Sequence, residues 1–185
     1  MLQEYRRLEG SRFADPDSGL NIEMADDCAR FSLRVAQDDI ERAGAAAGMT
    51  LPKRIGETAA SGGRLALCLG PDEWQLMAPL DERDHIEAAF AALYAEVPHS
   101  LVDVGHRETG IVVEGRNAAL ALRCACPLDV DAMPVGSAAR TIFDKAQIVL
   151  IRQGERSFRI EVWQSFADHV WGILQAAGRE SALGI

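Results

Sequence analysis

The chain has 185 residues, 48% of them hydrophobic and 25% charged, an ordinary balance for a globular protein able to bury a core without staples. Acidic residues outnumber basic ones 28 to 19, and the net charge of −9 argues against nucleic acid or an anionic membrane surface as a partner. No apolar run approaches the roughly 20 residues of a membrane span, and residues 1–17 lack an apolar signal-peptide core, so a cytoplasmic location is expected.

In chain order, residues 1–20 mix charges with Gly10, Pro16 and Gly19 and read as a polar, partly disordered tail. Phe31, Leu33 and Val35 alternate as in a strand, and Asp38 can N-cap a helix over 39–47 that Gly48 closes. Residues 50–63 read as a long loop. A hairpin follows, with strands 64–69 and 74–78 turning through Gly70-Pro71-Asp72-Glu73. Helix 82–96 carries Ile86, Ala89, Phe90, Leu93, Tyr94 and Val97 on one face, and Leu101 to Val104 returns as a strand. The order βαββαβ is the split-βαβ, ferredoxin-like arrangement.

The pattern then repeats. Ile111 to Val113 is a strand, Asn117 caps a helix to about Cys126, and strands fall near 140–151 and 156–163. Ser165 and Asp168 form a capping-box-like start to helix 166–177, which Gly178 terminates. Leu65, Leu67, Gly70, Trp74, Leu76 and Ala78 recur 84 residues later, without a gap, as Val149, Ile151, Gly154, Phe158, Ile160 and Val162. This self-similarity predicts an α+β protein of two fused ferredoxin-like units from an internal duplication. The expected division is a tail 1–20, a first repeat 21–107 and a second repeat 108–185.

Single residues offer little catalytic chemistry. Cys28, Cys68, Cys124 and Cys126 suit a reducing compartment as structural thiols, and the lone C-x-C at 124–126 is a weak zinc signal. His85, His99, His106 and His169 are scattered without metal-ligand spacing. Asp129 and Asp131 are more readily a turn than a cation site. A nucleophilic triad of Cys124, His106 and Asp103 is set aside, because Cys124 lies among apolar neighbours with only Arg123 to stabilise a thiolate. His106 and Arg107 could bind an anion or carboxylate, but a strand-end salt bridge is preferred. Trp163, Phe166 and Trp171 cluster where a strand meets a helix; some of these rings should be core. Trp163 alternates with Phe158, Ile160 and Val162 and should face away from them. It is expected to anchor a partner-binding surface, with Phe166, Trp171, His106 and Arg107 as further candidates.

The segment from Ser100 to Arg107, followed by Gly110 to Gly115 and Asn117 to Asp131, resembles the core of the aminomethyltransferase (glycine-cleavage T-protein) superfamily of folate-binding proteins. More closely, Cys126-Pro-Leu-Asp129, Pro134-Val-Gly136, Arg140-Thr141, Lys145-Ala146, Phe158 to Trp163, Ser165-Phe166 and Trp171-Gly172 resemble the gamma subunits of heterotetrameric sarcosine oxidase; Leu69 to Trp74 fits the same family. The resemblance implies a complex that oxidatively demethylates sarcosine to glycine, makes hydrogen peroxide and passes the one-carbon unit to tetrahydrofolate. It implies alpha, beta and delta partner subunits. FAD, FMN and NAD would reside in alpha and beta, zinc in delta, and no cofactor in this chain. Catalytic relatives carry Gly-Gly-Ile-x-Asp-Asp where this chain reads Lys145-Ala-Gln-Ile-Val-Leu150, so the resemblance implies a retained fold without its active site. A non-catalytic assembly role is therefore expected. The alternatives are a stand-alone folate-dependent aminomethyl carrier and a folate-binding-like regulatory module.

Overall fold

A computed structural model describes Leu8 and residues 10–184. The strands are β1 (Arg12–Asp15), β2 (Leu20–Met24), β3 (Ala29–Val35), β4 (Thr58–Ser61), β5 (Arg64–Gly70), β6 (Glu73–Ala78), β7 (His99–Asp103), β8 (Glu108–Glu114), β9 (Ser137–Phe143), β10 (Ala146–Gly154) and β11 (Ser157–Trp163). The helices are α1 (Ile40–Ala47), α2 (Arg83–Leu93), α3 (Ala118–Arg123) and α4 (Gln164–Leu183). Two units emerge, one from Asp27 to His106, the other joining the residues up to Asp26 with Arg107 onward.

The unit 27–106 is an antiparallel sheet ordered β4-β5-β6-β3-β7. Phe31, Leu33, Trp74 and Leu76 form its core with Ile40 and Ala43 of α1 and Ile86 and Phe90 of α2. Trp74 is fully buried and satisfies its indole by donating to the Pro52 carbonyl at 2.8 Å. The other unit is an antiparallel sheet ordered β1-β2-β8-β11-β10-β9. Ile22, Ile111, Ile148, Leu150, Phe158 and Ile160 pack there with Val170, Trp171 and Leu174 of α4.

The two central hairpins share one register. In β5–β6, Ala66 opposes Leu76, Cys68 opposes Trp74, and a bulge brings Gly70 opposite Glu73. In β10–β11, 84 residues on, Leu150 opposes Ile160, Arg152 opposes Phe158, and the same irregularity brings Gly154 opposite Ser157. The inward residues of β5 and β10 are Ala66 and Cys68, and Ile148 and Leu150.

Several expectations change. Of the supposed tail, residues 1–7 and 9 lie outside the described residues, but 12–15 and 20–24 pair as a hairpin, and β2 continues onto β8. Helix α4 does not stop at Gly178; it runs to Leu183, where Gly184 takes the left-handed cap at φ 74°. Gly178 is instead a packing position. A Cβ there would stand 2.6 Å from the Phe13 ring of β1, so the glycine lets the hairpin lie against the helix. Both misreadings share this cause: a polar-looking N-terminal segment returns to cover the second half of α4.

The loop expected over 50–63 contains β4, which turns into β5 through Gly62 and Gly63, both at positive φ, as a two-residue hairpin requires. The strand placed at 140–151 is two strands, broken at Asp144-Lys145. Helix α1 is entered through a 3₁₀ turn at Gln37–Asp39, where Asp39 N–H bonds the Ala36 carbonyl and no side chain of Asp38 caps. Asn117 and Ser165 also make no capping bond to their helices. Asn117 donates to the Ser18 carbonyl instead, at 2.7 Å. Tyr94, assigned to the buried face of α2, is 66% exposed.

Candidate docking surface

At the end of β11 the chain passes from a strand whose Phe158, Ile160 and Val162 point into the core to helix α4. Alternation places Trp163 on the other face, where it is 42% exposed. Arg107, at the start of the paired strand β8, lays its guanidinium over the indole, its carbon 5.1 Å from the ring centroid. The same guanidinium pairs with Glu108 at 3.2 Å, and Glu108 stands opposite Trp163 in the register. The Arg107 carbonyl accepts the Gln164 amide hydrogen at 2.8 Å, which ties strand entry to helix entry. The Gln164 side-chain Nε2 beneath is buried and has no hydrogen-bond partner among the described residues. The result is a flat aromatic–cation plate held from both ends.

The other predicted members are distributed differently. Trp171 is 6% exposed and belongs to the core, because it shares a helical face with Ala167, Val170 and Leu174. Phe166 is half-buried against that core. His106 is exposed, and the strand-end salt bridge falls to Arg107, which pairs with the half-buried Glu108. Asp103 is unavailable to a triad: one carboxylate oxygen accepts the Gly105 amide at 2.7 Å and the other meets Arg83 at 2.7 Å.

Cys124 is exposed rather than core, its thiol directed to the Leu120 carbonyl at 3.5 Å. Cys68 and Cys126 are buried, and burial pushes the Cys68 thiol above its ordinary value, keeping it protonated and unreactive. Asp129 accepts the Ala132 amide in a turn and Asp131 pairs with Arg123 at 2.6 Å. Among the described residues no three His, Cys, Asp or Glu side chains converge on a metal position. No helix there is long and apolar enough to cross a membrane.

The stretch aligned with the catalytic carboxylates forms the first half of β10. Ile148 and Leu150 are buried core residues, and Val149 on the alternate side is only 7% exposed. Beside it, Arg152 was not singled out by sequence. Its guanidinium gathers the carbonyls of Val130, Asp131 and Met133 at 3.3, 2.9 and 2.5 Å and lies over the Phe158 ring. That fan of bonds holds the 129–134 turn against the hairpin. An isolated Arg in a bulged strand gives no sequence cue for it.

Two antiparallel sheets, each carrying helices over an apolar core, define a mixed α/β fold of the aminomethyltransferase kind. An aminomethyltransferase T of the glycine cleavage system from Bartonella henselae is similar with a TM-score of 0.67, at 14% identity, over 83% of this chain and 44% of that one. Residues 36–180 match the model of the "Sarcosine oxidase, gamma subunit family", and the chain belongs to that family. The sarcosine oxidase subunit gamma of Corynebacterium sp. (strain U-96) is 34% identical over 128 residues, which is 68% of this chain, and that of an Arthrobacter species is 32% identical over 128 residues. Each of these matches covers 62% of the relative's own length. A chain of the heterotetrameric sarcosine oxidase from Corynebacterium sp. U-96, solved in complex with pyrrole 2-carboxylate, superposes with a TM-score of 0.82 at 28% identity, covering 95% of this chain and 91% of that one.

Proposed function

We propose that this chain is a non-catalytic subunit of a heterotetrameric sarcosine oxidase, serving to assemble the complex. The likeness along nearly the whole of both chains to a member of the solved heterotetramer carries this reading. The closed, apolar first half of β10 supports it, because a packed strand leaves no room for a ligand at the position of the catalytic carboxylates. Oxidative demethylation of sarcosine, with transfer of the one-carbon unit to tetrahydrofolate, then belongs to the complex as a whole. FAD, FMN, NAD and zinc are assigned to alpha, beta and delta partners in the cytoplasm. The Trp163–Arg107 plate is the part of the surface assigned to docking.

The two units are read as copies of one ferredoxin-like, split-βαβ ancestor. Sheet orders β5-β6-β3-β7 and β10-β11-β8-β2 support this, as does the shared register of the central hairpins. In the second copy the strand expected after α4 is replaced by β2 from the N-terminal segment.

Co-expression with the alpha, beta and delta subunits tests the assembly role. Co-purification in equal ratio is expected. A complex of the other three subunits that forms and turns over sarcosine without this chain would overturn it.

A further inference from the structure

The sheet of the unit 27–106 ends at β7, and among the described residues no strand pairs beyond it. The direction of the groups on that edge follows from one bond. Val104 N–H donates to Arg30 O, so in an antiparallel ladder residues 102 and 100 also turn their amides toward β3. His99, Leu101 and Asp103 therefore turn their N–H and C=O groups outward. Open edges are commonly guarded by Lys, by Pro or by a bulge. Residues 99–103 contain neither Lys nor Pro, and the register against β3 runs without a shift. On the sheet face away from the core, Val102 is 51% exposed beside an exposed Ser100.

The edge is complementary to itself. A two-fold axis through Leu101 sets two β7 strands antiparallel, with Leu101 against Leu101 of a second copy and His99 against its Asp103. These are the outward-facing residues, so each such pair exchanges both main-chain hydrogen bonds. Ser100 of one copy then stands opposite Val102 of the other, and the two exposed Val102 side chains become diagonal neighbours beside the axis. On the α2 face the two ends of the strand differ. His99 meets Phe90 and the exposed Tyr94 edge-on, with centroids 5.2 and 5.4 Å apart. At the other end Arg83 stands 2.7 Å from the Asp103 carboxylate and 3.8 Å from that of Glu87. The two-fold brings the aromatic end of one copy level with the Arg83 end of the other. The Tyr94 ring then meets a guanidinium already held in place by its own acids, and along β7 no carboxylate faces a carboxylate. Because one patch serves both copies, the contact closes on itself.

We infer that the free chain associates into a two-fold dimer through β7, joining two five-stranded sheets into one continuous sheet. A net charge of −9 on each copy keeps the association weak and reversible. The inference concerns the chain without its partners, so it goes beyond the assembly reading above and does not rest on it. It uses a surface in the unit 27–106, separate from the Trp163 plate.

Sedimentation equilibrium of the whole chain over a dilution series, with amide hydrogen exchange at both ends of the series, tests the inference. A monomer–dimer equilibrium is expected, in which the amides of His99, Leu101 and Asp103 gain protection as the dimer fills. Val102→Lys, at an exposed position, sets two like charges beside the axis and should weaken the dimer roughly tenfold or more, while the dilute variant melts like the parent. Tyr94→Ala, also at an exposed position, should weaken it less. Trp163→Ala should leave it unchanged, which separates this contact from the plate. A chain that stays monomeric at every concentration overturns the inference. So does a dimer that Val102→Lys leaves intact, that Trp163→Ala abolishes, or whose three amides exchange as in the monomer. The series is read on the free chain, so its outcome is independent of the co-expression result.

Discussion

The guanidinium of Arg107 rests over the indole of Trp163, 5.1 Å from its centroid, on a strand pair whose other face is core. Neither residue is needed to close that core, since Trp163 is 42% exposed and Arg107 is exposed as well. Truncating a half-exposed ring that only stacks on a surface cation costs the isolated fold about 1 kcal/mol or less. Truncating the aromatic anchor of an interface costs about 2 kcal/mol or more of binding. Trp163→Ala should therefore melt within a few degrees of the parent and yet co-purify poorly with the other subunits. A variant that unfolds would place Trp163 in the core; one that assembles normally would remove it from the interface.

Strand β10 makes the opposite prediction. Leu150 is fully buried between Ala139 of β9 and Ile160 of β11 in the ladder. Leu150→Ala leaves a cavity in a close-packed region and should cost about 2–5 kcal/mol, read by urea denaturation. By the same packing argument, calorimetry of the isolated chain with millimolar tetrahydrofolate should be silent. Measurable binding would favour a folate-dependent carrier over an assembly subunit.

How far the sequence reached follows a physical rule. The central hairpins were legible because their apolar period is local and repeats at a fixed offset. Helix α2 was legible for the same reason, through Ile86 and Phe90. The N-terminal hairpin was not, since Phe13 and Ile22 gain their burial from α4 and β8, more than 85 residues away. Gly178 misled for a related reason: glycine signals both a helix end and a close approach, and only the partner, Phe13, distinguishes them. In the docking surface, alternation alone separated Trp163 from the core. For Trp171 the helix phase decides, since it shares a face with Ala167, Val170 and Leu174. Arg107 was legible as one half of a strand-end salt bridge; its stacking on Trp163 was not.

The turn after β8 gives a graded test of backbone constraint. Gly115 sits at φ 117°, and a Cβ there would stand 2.2 Å from the Gly19 carbonyl oxygen, a backbone atom that cannot swing aside. That carbonyl also accepts the Asn117 amide, so the N-terminal turn is fastened at this point. Gly136 has a positive φ of 76°, nearer the left-handed region that other residues can reach, and open space around it. Gly136→Ala should lose about 1 kcal/mol from the dihedral alone, and Gly115→Ala about 2–4 kcal/mol because a costlier dihedral and steric overlap add together. Equal losses in thermal denaturation would mean the Gly19 turn is not held against residue 115.

Asp144 takes the left-handed conformation, φ 52°, in the β9–β10 turn and meets His169 of α4 at 2.7 Å. The hydrogen bond from His169 holds the Asp144 carboxyl below its ordinary value of 3.8, with smaller help from the neighbouring Lys145. A carboxyl whose value is lower in the folded chain than in the unfolded one stabilises the fold at pH above the unfolded value. That contribution fades as pH falls from the unfolded value through the lowered folded one, because over that interval the unfolded chain binds more protons than the folded one; below both values it is gone. Asp144→Asn keeps a residue type that tolerates the left-handed turn while removing the charge. The parent should therefore be the more stable of the two at about pH 5, and the gap should close on acidification below the ordinary 3.8. The Asp144 side chain is exposed, so the gap is small and should shrink further in high salt. Urea denaturation of both proteins across that range decides it: a gap that stays constant or widens toward low pH would mean that the pair with His169 contributes nothing through the Asp144 charge.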